Sequence, residues 1–220
     1  MRRSTVVTID GPAGAGKSTV ARRLAERLGY RFVPSGAIYR AIAWRVDGGV
    51  TVERALAGTE IEFRGRPAEQ RILVNGEDVT EALRAPQMSG LTSALSQRPD
   101  VRAFADALQR RLAAAGPVVV EGRDAGTVVF PHAECKFYLD ASLGVRAARR
   151  LADRRARGET SGLEEVRQAL AERDLADRTR TVAPLQRVED AVYIDSSEMT
   201  IDEVIEQMVK EVDRICSTGS

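Results

Sequence analysis

Apolar runs alternate with stretches of helical periodicity along most of this chain. "TVVTID" (5–10) is a short, nearly continuous apolar run and predicts a buried strand. Over residues 18–28, Val20, Leu24 and Leu28 recur on one helical face, and Gly29 is placed to end that helix. A second apolar segment, "RFVPSG", leads into another helical pattern over 36–46. The texture changes between 50 and 84, where "IEFRG" and "RILVNGEDV" read as short strands and Asn75-Gly76 as a two-residue hairpin turn. After Pro99, Val101, Ala105, Leu108 and Leu112 share one helical face. "PVVVEG" (117–122) and "KFYLD" (136–140) predict buried parallel strands. Arginine-rich helical sequence fills 143–157 and 162–180, separated by "GETSG". "AVYID" (191–195) is a last core strand. Thr200 and Glu203 then form a capping box for a helix with Ile201, Val204, Ile205, Met208, Val212 and Ile215 on its apolar face.

Strands alternating with helices predict an α/β fold built on a parallel sheet of about five strands. Two insertions leave this core, one after the second strand and one before the last. On such a sheet, ligands bind beyond the carboxyl ends of the strands.

Composition narrows the picture. The 220 residues are 43% apolar, enough for a sizeable core. No apolar run reaches the roughly 18 residues of a membrane span, and "MRRSTVVTIDG" lacks the features of a signal peptide, so the expectation is a cytoplasmic protein with no membrane partner. Net charge is +1, which gives no bulk attraction to nucleic acid. Cys135 and Cys216 have no metal-ligand spacing and read as free thiols or core fillers. His132 has no second histidine or acid to make a site, and Trp44 and Phe104 read as packing residues. Only Lys17, Lys136 and Lys210 are lysines, against 30 arginines, a surplus that compositional bias explains for most positions.

The chemistry starts at "GPAGAGKS". Gly11, Pro12, Ala13, Gly14, Ala15, Gly16, Lys17 and Ser18 match G-x-x-x-x-G-K-[ST] in full, with a strand before and a helix after. The glycines let the backbone approach an anion, and the loop amides and helix N-terminus supply donors to phosphate. Lys17 brings a mobile cation to the outer phosphates, Thr19 adds a hydroxyl, and Ser18 can ligate Mg²⁺. This is a nucleoside triphosphate site. A small-molecule kinase, a GTPase switch and an ATP-driven motor all begin this way. There is no N-K-x-D to read guanine and no D-x-x-G, but "VVVEG" ends in Glu121, as a motor's second acidic strand would.

A kinase needs a second anion site and an arginine-bearing lid that excludes water. "PSGAIYR" offers Ser35, Tyr39 and Arg40 beside the cleft; Arg40 reads equally as a surface charge. In "EGRDAGTVVFP", Arg123 and Asp124 follow a buried strand. They form either a salt bridge or a pair with Arg123 on phosphate and Asp124 accepting from a base amine. In "ERDLADRTR", Arg173, Asp177 and Arg180 share one face, with Asp174 and Arg178 near; solvated ion pairs would show the same spacing. Arg146, Arg149, Arg150, Arg154, Arg155 and Arg157 crowd one short stretch, as a lid over triphosphate would require.

Together, "TIDGPAGAGKST", "SGAIYR", "EGRDAGTVVFP", "KFYLDAS", "ERDLADRTRTVAPL" and "YIDSSEMTIDEVI" resemble the bacterial cytidylate kinases, in order, from about residue 5 to about 210. The resemblance implies a P-loop nucleoside monophosphate kinase in one domain. Its core would be about 1–34, 99–145 and 181–220, with a monophosphate-binding lobe over 35–98 and a helical lid over 146–180. It implies Mg²⁺-dependent phosphoryl transfer from ATP to CMP or dCMP; nothing in the sequence itself demands more than a monomer. It also implies Ser35, Arg40, Arg123 and Arg180 around the acceptor phosphate, Ser93, Arg102 and Asp124 on cytosine, and Asp177 with Arg173 on the ribose. Lys17, Arg123 and Arg180 would act in catalysis. The 50–84 insert is shorter and less family-like than that resemblance leads one to expect.

Overall fold

A computed structural model describes residues 5–85 and 88–218. The central strand β1 (Val6–Asp10) runs into a glycine loop and α1 (Lys17–Leu28), then β2 (Arg31–Pro34) and α2 (Ser35–Asp47). An excursion follows: α3 (Val52–Gly58), β3 (Ile61–Arg64), β4 (Arg71–Val74), β5 (Glu77–Asp78) and α4 (Met88–Leu95). The chain returns through α5 (Pro99–Ala114), β6 (Val118–Glu121), β7 (Cys135–Asp140), the helices α6 (Leu143–Ala156) and α7 (Leu163–Thr179), β8 (Val192–Asp195) and α8 (Ile201–Thr218).

Five parallel strands lie in the order β2-β6-β1-β7-β8, as the alternating pattern predicts. Strand alternation decides which helices cover which face. Val7 and Ile9 point with Phe137, Leu139 and Ile194 toward Val20 and Leu24 of α1 and toward Val204, Ile205, Met208 and Val212 of α8. Val118 and Val120 point the other way, against Ile38 and Ile42 of α2 and Val101, Ala105 and Leu108 of α5. The α8 face thus holds except at its ends: Ile201 is exposed, and Ile215 packs only at the edge. The capping box forms, with the Thr200 amide donating to the Glu203 carboxylate and the Glu203 amide to Thr200 Oγ1.

The 50–84 segment contains the expected antiparallel sheet, β3-β4-β5, with Asn75 at positive φ in its turn. It also contains α3, which the pattern did not predict. Seven residues are too few to show a period; the helix rests on the Thr51 side chain capping the Arg54 amide and on buried Ala55. The eight-residue α4 escaped for the same reason and is held by buried Met88 and Leu95. Cys135 is a core residue in β7. Arg2 and Arg3, and the side chain of Cys216, lie outside the described residues. No helix among the described residues is long and apolar enough to cross a membrane.

Candidate active site

β1 and β6 end side by side, at the carboxyl edge where such sheets bind ligands. The glycine loop leaves β1 at Gly11, whose φ is +149°; a Cβ there would stand 2.0 Å from the Leu139 carbonyl oxygen of β7. Only glycine fits that approach. The loop closes at Gly16, the left-handed residue that starts α1, so the first amides of α1 face the loop's hollow. Lys17 is buried and folds back, its Nζ donating to the Pro12 carbonyl at 2.7 Å. Burial and then Arg123 bring its ammonium down to about 7, against the opposing pull of Glu121 and Asp10. Ser18 Oγ donates to Glu121 Oε1 at 3.1 Å. Hydroxyl and carboxylate oxygens are the hard donors Mg²⁺ takes, directly or through its waters, so Ser18 and Glu121 fit that ion beside bound phosphates. Thr19, half-buried, follows on the first turn of α1.

The residues expected around the acceptor come from four elements. Beyond β6 the chain makes Gly122, Arg123, Asp124 and a single π-turn over Ala125–Val129. Asp124 is buried and takes Arg102 of α5 on Oδ2 and Arg180, from the end of α7, on Oδ1 at 3.4 Å. Arg180 reaches Asp177 at 3.9 Å, and Asp177 takes Arg123 Nε at 2.7 Å. These five side chains form one alternating chain of charge between the sheet edge and α7. Arg173 stands in the same field; burial and then Arg123 bring it down to about 10 against the pull of Asp177, with Arg40 and Arg150 adding to the effect. Ser35, buried at the start of α2, lies so close to Gly122 that a Cβ there would come within 2.8 Å of its hydroxyl. Arg40 bonds the Leu83 carbonyl at 2.6 Å and is burdened first by desolvation and then by Arg150.

Three expected partners behave differently. Ser93 lies on α4 with an exposed side chain, outside the hydrogen-bonded cluster. The Tyr39 ring is buried with the Arg102 guanidinium 5.9 Å from its centroid, so the ring supports Arg102 from one side. The crowded arginines of α6 do not act as one lid surface. Arg146 pairs with Asp174 at 2.5 Å, Arg149 binds Ser196, and Arg154 and Arg157 bind Glu159. Burial and then Arg157 and Arg154 hold the Arg150 guanidinium below its ordinary value, against Asp153 and Glu159, and Arg150 in turn burdens Arg40.

Asp10 escaped the sequence reading altogether. Its carboxylate is buried, and Oδ1 and Oδ2 accept from the amides of Ala125 and Gly126 at 2.9 and 2.7 Å. It therefore ties the root of the glycine loop to the turn that carries Asp124. Burial raises its carboxyl to about 6, against those two hydrogen bonds. An acid at the carboxyl end of a buried strand was the available signal.

The glycine loop thus stands beside a cluster in which Arg40, Arg102, Arg123, Arg173 and Arg180 outnumber the carboxylates Asp124 and Asp177. The family profile described as Cytidylate kinase matches residues 7–214. This chain belongs to the cytidylate kinase family. It is 45% identical to the cytidylate kinase of Geobacter sulfurreducens, over 94% of this chain and 92% of that one. It is 44% identical to that of Geobacillus kaustophilus, over 96% and 98%. Among solved structures it shares its fold with a gluconokinase from Sinorhizobium meliloti (TM-score 0.50, 16% identity, 99% and 97% covered). An uncharacterized protein from Eubacterium ventriosum shares it as well (TM-score 0.56, 10% identity, 95% and 98% covered). The family makes the protein a nucleoside monophosphate kinase, a phosphotransferase.

Proposed function

We propose that the chain transfers the γ-phosphoryl group of ATP to CMP or dCMP, giving ADP and CDP or dCDP, with Mg²⁺. The observation that carries the choice of acceptor is buried Asp124, oriented by Arg102 and Arg180 one strand from the glycine loop. A carboxylate accepts from the exocyclic amine of cytosine and would face a carbonyl in uracil. An unmet buried polar group costs about 1–3 kcal/mol, enough for a clear preference.

The roles follow the charge map. The loop 11–19 takes the donor phosphates, with Lys17 released from the Pro12 carbonyl to the outer ones. Mg²⁺, held through Ser18, would neutralise and orient phosphate oxygens. Arg40, Arg123, Arg180 and Ser35 hold the acceptor phosphate, Arg102, Asp124 and Ser93 the base, and Arg173 with Asp177 the ribose. An acceptor phosphate oxygen attacks the γ-phosphorus in line and the bond to the β–γ bridging oxygen breaks, leaving ADP. The acceptor is already ionised at neutral pH, so no protein base is needed. Lys17, Arg123 and Arg180 offset the negative charge during transfer. Of the α6 arginines, Arg150 is half-buried with the cations Arg157 and Arg154 outweighing Asp153 and Glu159 around it, and it suits the transferring group. In this reading 35–98 is the monophosphate lobe and 146–180 the lid, which closes when both nucleotides are bound.

An ADP-release assay with CMP, dCMP, UMP and AMP decides the acceptor. Turnover should be fastest with CMP or dCMP; equal or faster turnover with AMP or UMP defeats the assignment. ATP turnover indifferent to CMP would mark an ATPase instead.

A further inference from the structure

The junction between the glycine loop and the α6–α7 hairpin has a construction that the charge chemistry of the lid does not require. Ala13, the third residue of the loop, has both sides of its backbone gripped by one buried ion pair. Its amide donates to Asp174 Oδ1 at 3.2 Å, and its carbonyl accepts from Arg146 Nη1 at 3.0 Å. The same Nη1 bonds Asp174 Oδ2 at 2.5 Å, while Arg146 Nε donates to the Ala141 carbonyl at 2.8 Å. Arg146 and Asp174 are 5% and 6% exposed, so these bonds are made away from water. Apolar packing seals the junction: the Ala13 methyl sits with Ala147, Leu151, Val166 and Leu170 in a small core between the two helices. Gly14 lies against them too, since a Cβ there would meet Arg146 Cβ at 3.3 Å and Leu170 Cδ1 at 3.7 Å.

The place of Asp174 on α7 gives this grip its consequence. Arg173 precedes it and Asp177 follows one turn on, and both belong to the charge field expected to hold the acceptor. One rigid helix therefore carries the support of the donor loop and the acceptor-side groups together. We propose that Arg146 and Asp174 are positioning residues for phosphoryl transfer, fixing the spacing between the donor-phosphate loop and the acceptor-binding face of α7 by clamping the Ala13 peptide. They touch neither nucleotide; they act through Ala13 on one side and through the α7 backbone on the other. Effects on transfer follow because displacing a reacting group by an ångström costs about a hundredfold in rate. The α6–α7 hairpin is thereby anchored at its base, with freedom left to its outer turns around "GETSG".

The inference rests on the kinase reading of the site. Its test is the full chain carrying Arg146→Met and Asp174→Leu together, which removes both charges so that neither is left buried alone. Three measurements are compared with wild type: kcat and both KM values, the Kd of a non-hydrolysable ATP analogue and of CMP by calorimetry, and the melting temperature. The expected result is a folded protein whose kcat falls by about tenfold to a hundredfold, with weaker binding of the ATP analogue. Arg146→Lys is the companion variant. It keeps the charge opposite Asp174 but lacks the planar fork that reaches the Ala141 carbonyl from Nε and the Ala13 carbonyl from Nη1, and it should show the same loss in milder form. Asp190→Asn, which breaks the remote Lys136–Asp190 pair, is the control: it should leave kcat, both KM values and the analogue affinity at wild type, whatever it does to the melting temperature. A folded double variant or Arg146→Lys variant with wild-type kcat, KM values and analogue affinity overturns the proposal and leaves the pair a purely structural one. Failure of wild-type protein to use CMP overturns the choice of acceptor instead, and the analogue affinities still decide the clamp.

Discussion

Replacing Asp10 with asparagine separates two opposed effects that the structure places on one side chain. Both carboxylate oxygens accept backbone amides, from Ala125 and Gly126, and the group is 4% exposed. Burial has nevertheless raised its carboxyl from 3.8 to about 6. The sign follows from proton counting. Between those two values the folded protein still holds a proton that the unfolded chain has released, so stability falls as pH rises. The displacement is worth about 3 kcal/mol, present in full below pH 3.8 and lost as pH rises through about 6. Asparagine cannot titrate, so this component of the slope should vanish. Its Nδ2 must also face one of the two amides, leaving a buried donor unmet at a cost of about 1–3 kcal/mol. Asp10→Asn should therefore be less stable than wild type near pH 4 by about that amount, and within about 2 kcal/mol of it at pH 7, where the two effects oppose. Urea unfolding from pH 4 to pH 7.5 gives both curves, with the m-value checking that the transition is unchanged. Parallel curves across this range would refute the argument, because the charge of Asp10 would then not be what burial penalises. A loss above about 4 kcal/mol at pH 7 would refute it from the other side, showing that the anchor outweighs desolvation.

Asp124→Ala leaves Arg102 and Arg180 without their shared carboxylate; CMP affinity should fall by about tenfold or more while the Kd of an ATP analogue stays at the wild-type value. An equal fall in both affinities by calorimetry would make Asp124 a structural residue. Gly11→Ala and Gly16→Ala should differ sharply although both sit at positive φ. A Cβ at Gly11 overlaps the Leu139 carbonyl, whereas none within 4 Å opposes one at Gly16. Gly16→Ala should cost about 1–2 kcal/mol and Gly11→Ala distinctly more in the same urea titration; equal losses would contradict the packing argument.

The legibility of this site in the sequence follows chain distance. The glycine loop was readable because its parts are contiguous: a strand, a turn that needs glycine, and a helix whose N-terminus meets phosphate. The five-strand sheet was readable because period and run length are local signals. The short helices α3 and α4 were not, since seven or eight residues show no period and tertiary packing of Ala55, Met88 and Leu95 decides them. Arginine composition alone could not sort the arginines of α6. Arg146 and Arg150 are four residues apart on one helix, yet one is consumed by a buried ion pair and the other lies in a mixed field where Arg157 and Arg154 outweigh Asp153 and Glu159.

By itself, then, the sequence determined the donor half of this enzyme, the order of its core elements and its family motifs, all written over short spans of chain. Only the tertiary structure decided how Arg102, Asp124, Arg180, Asp177 and Arg123 share their charges, that Asp10 anchors the turn after Asp124, 115 positions away, and that Ala13 is clamped from a helix 161 positions away. Those contacts depend on which face of each strand and helix meets which neighbour. Burial then sets what each charge is worth, and no local stretch of sequence carries that information.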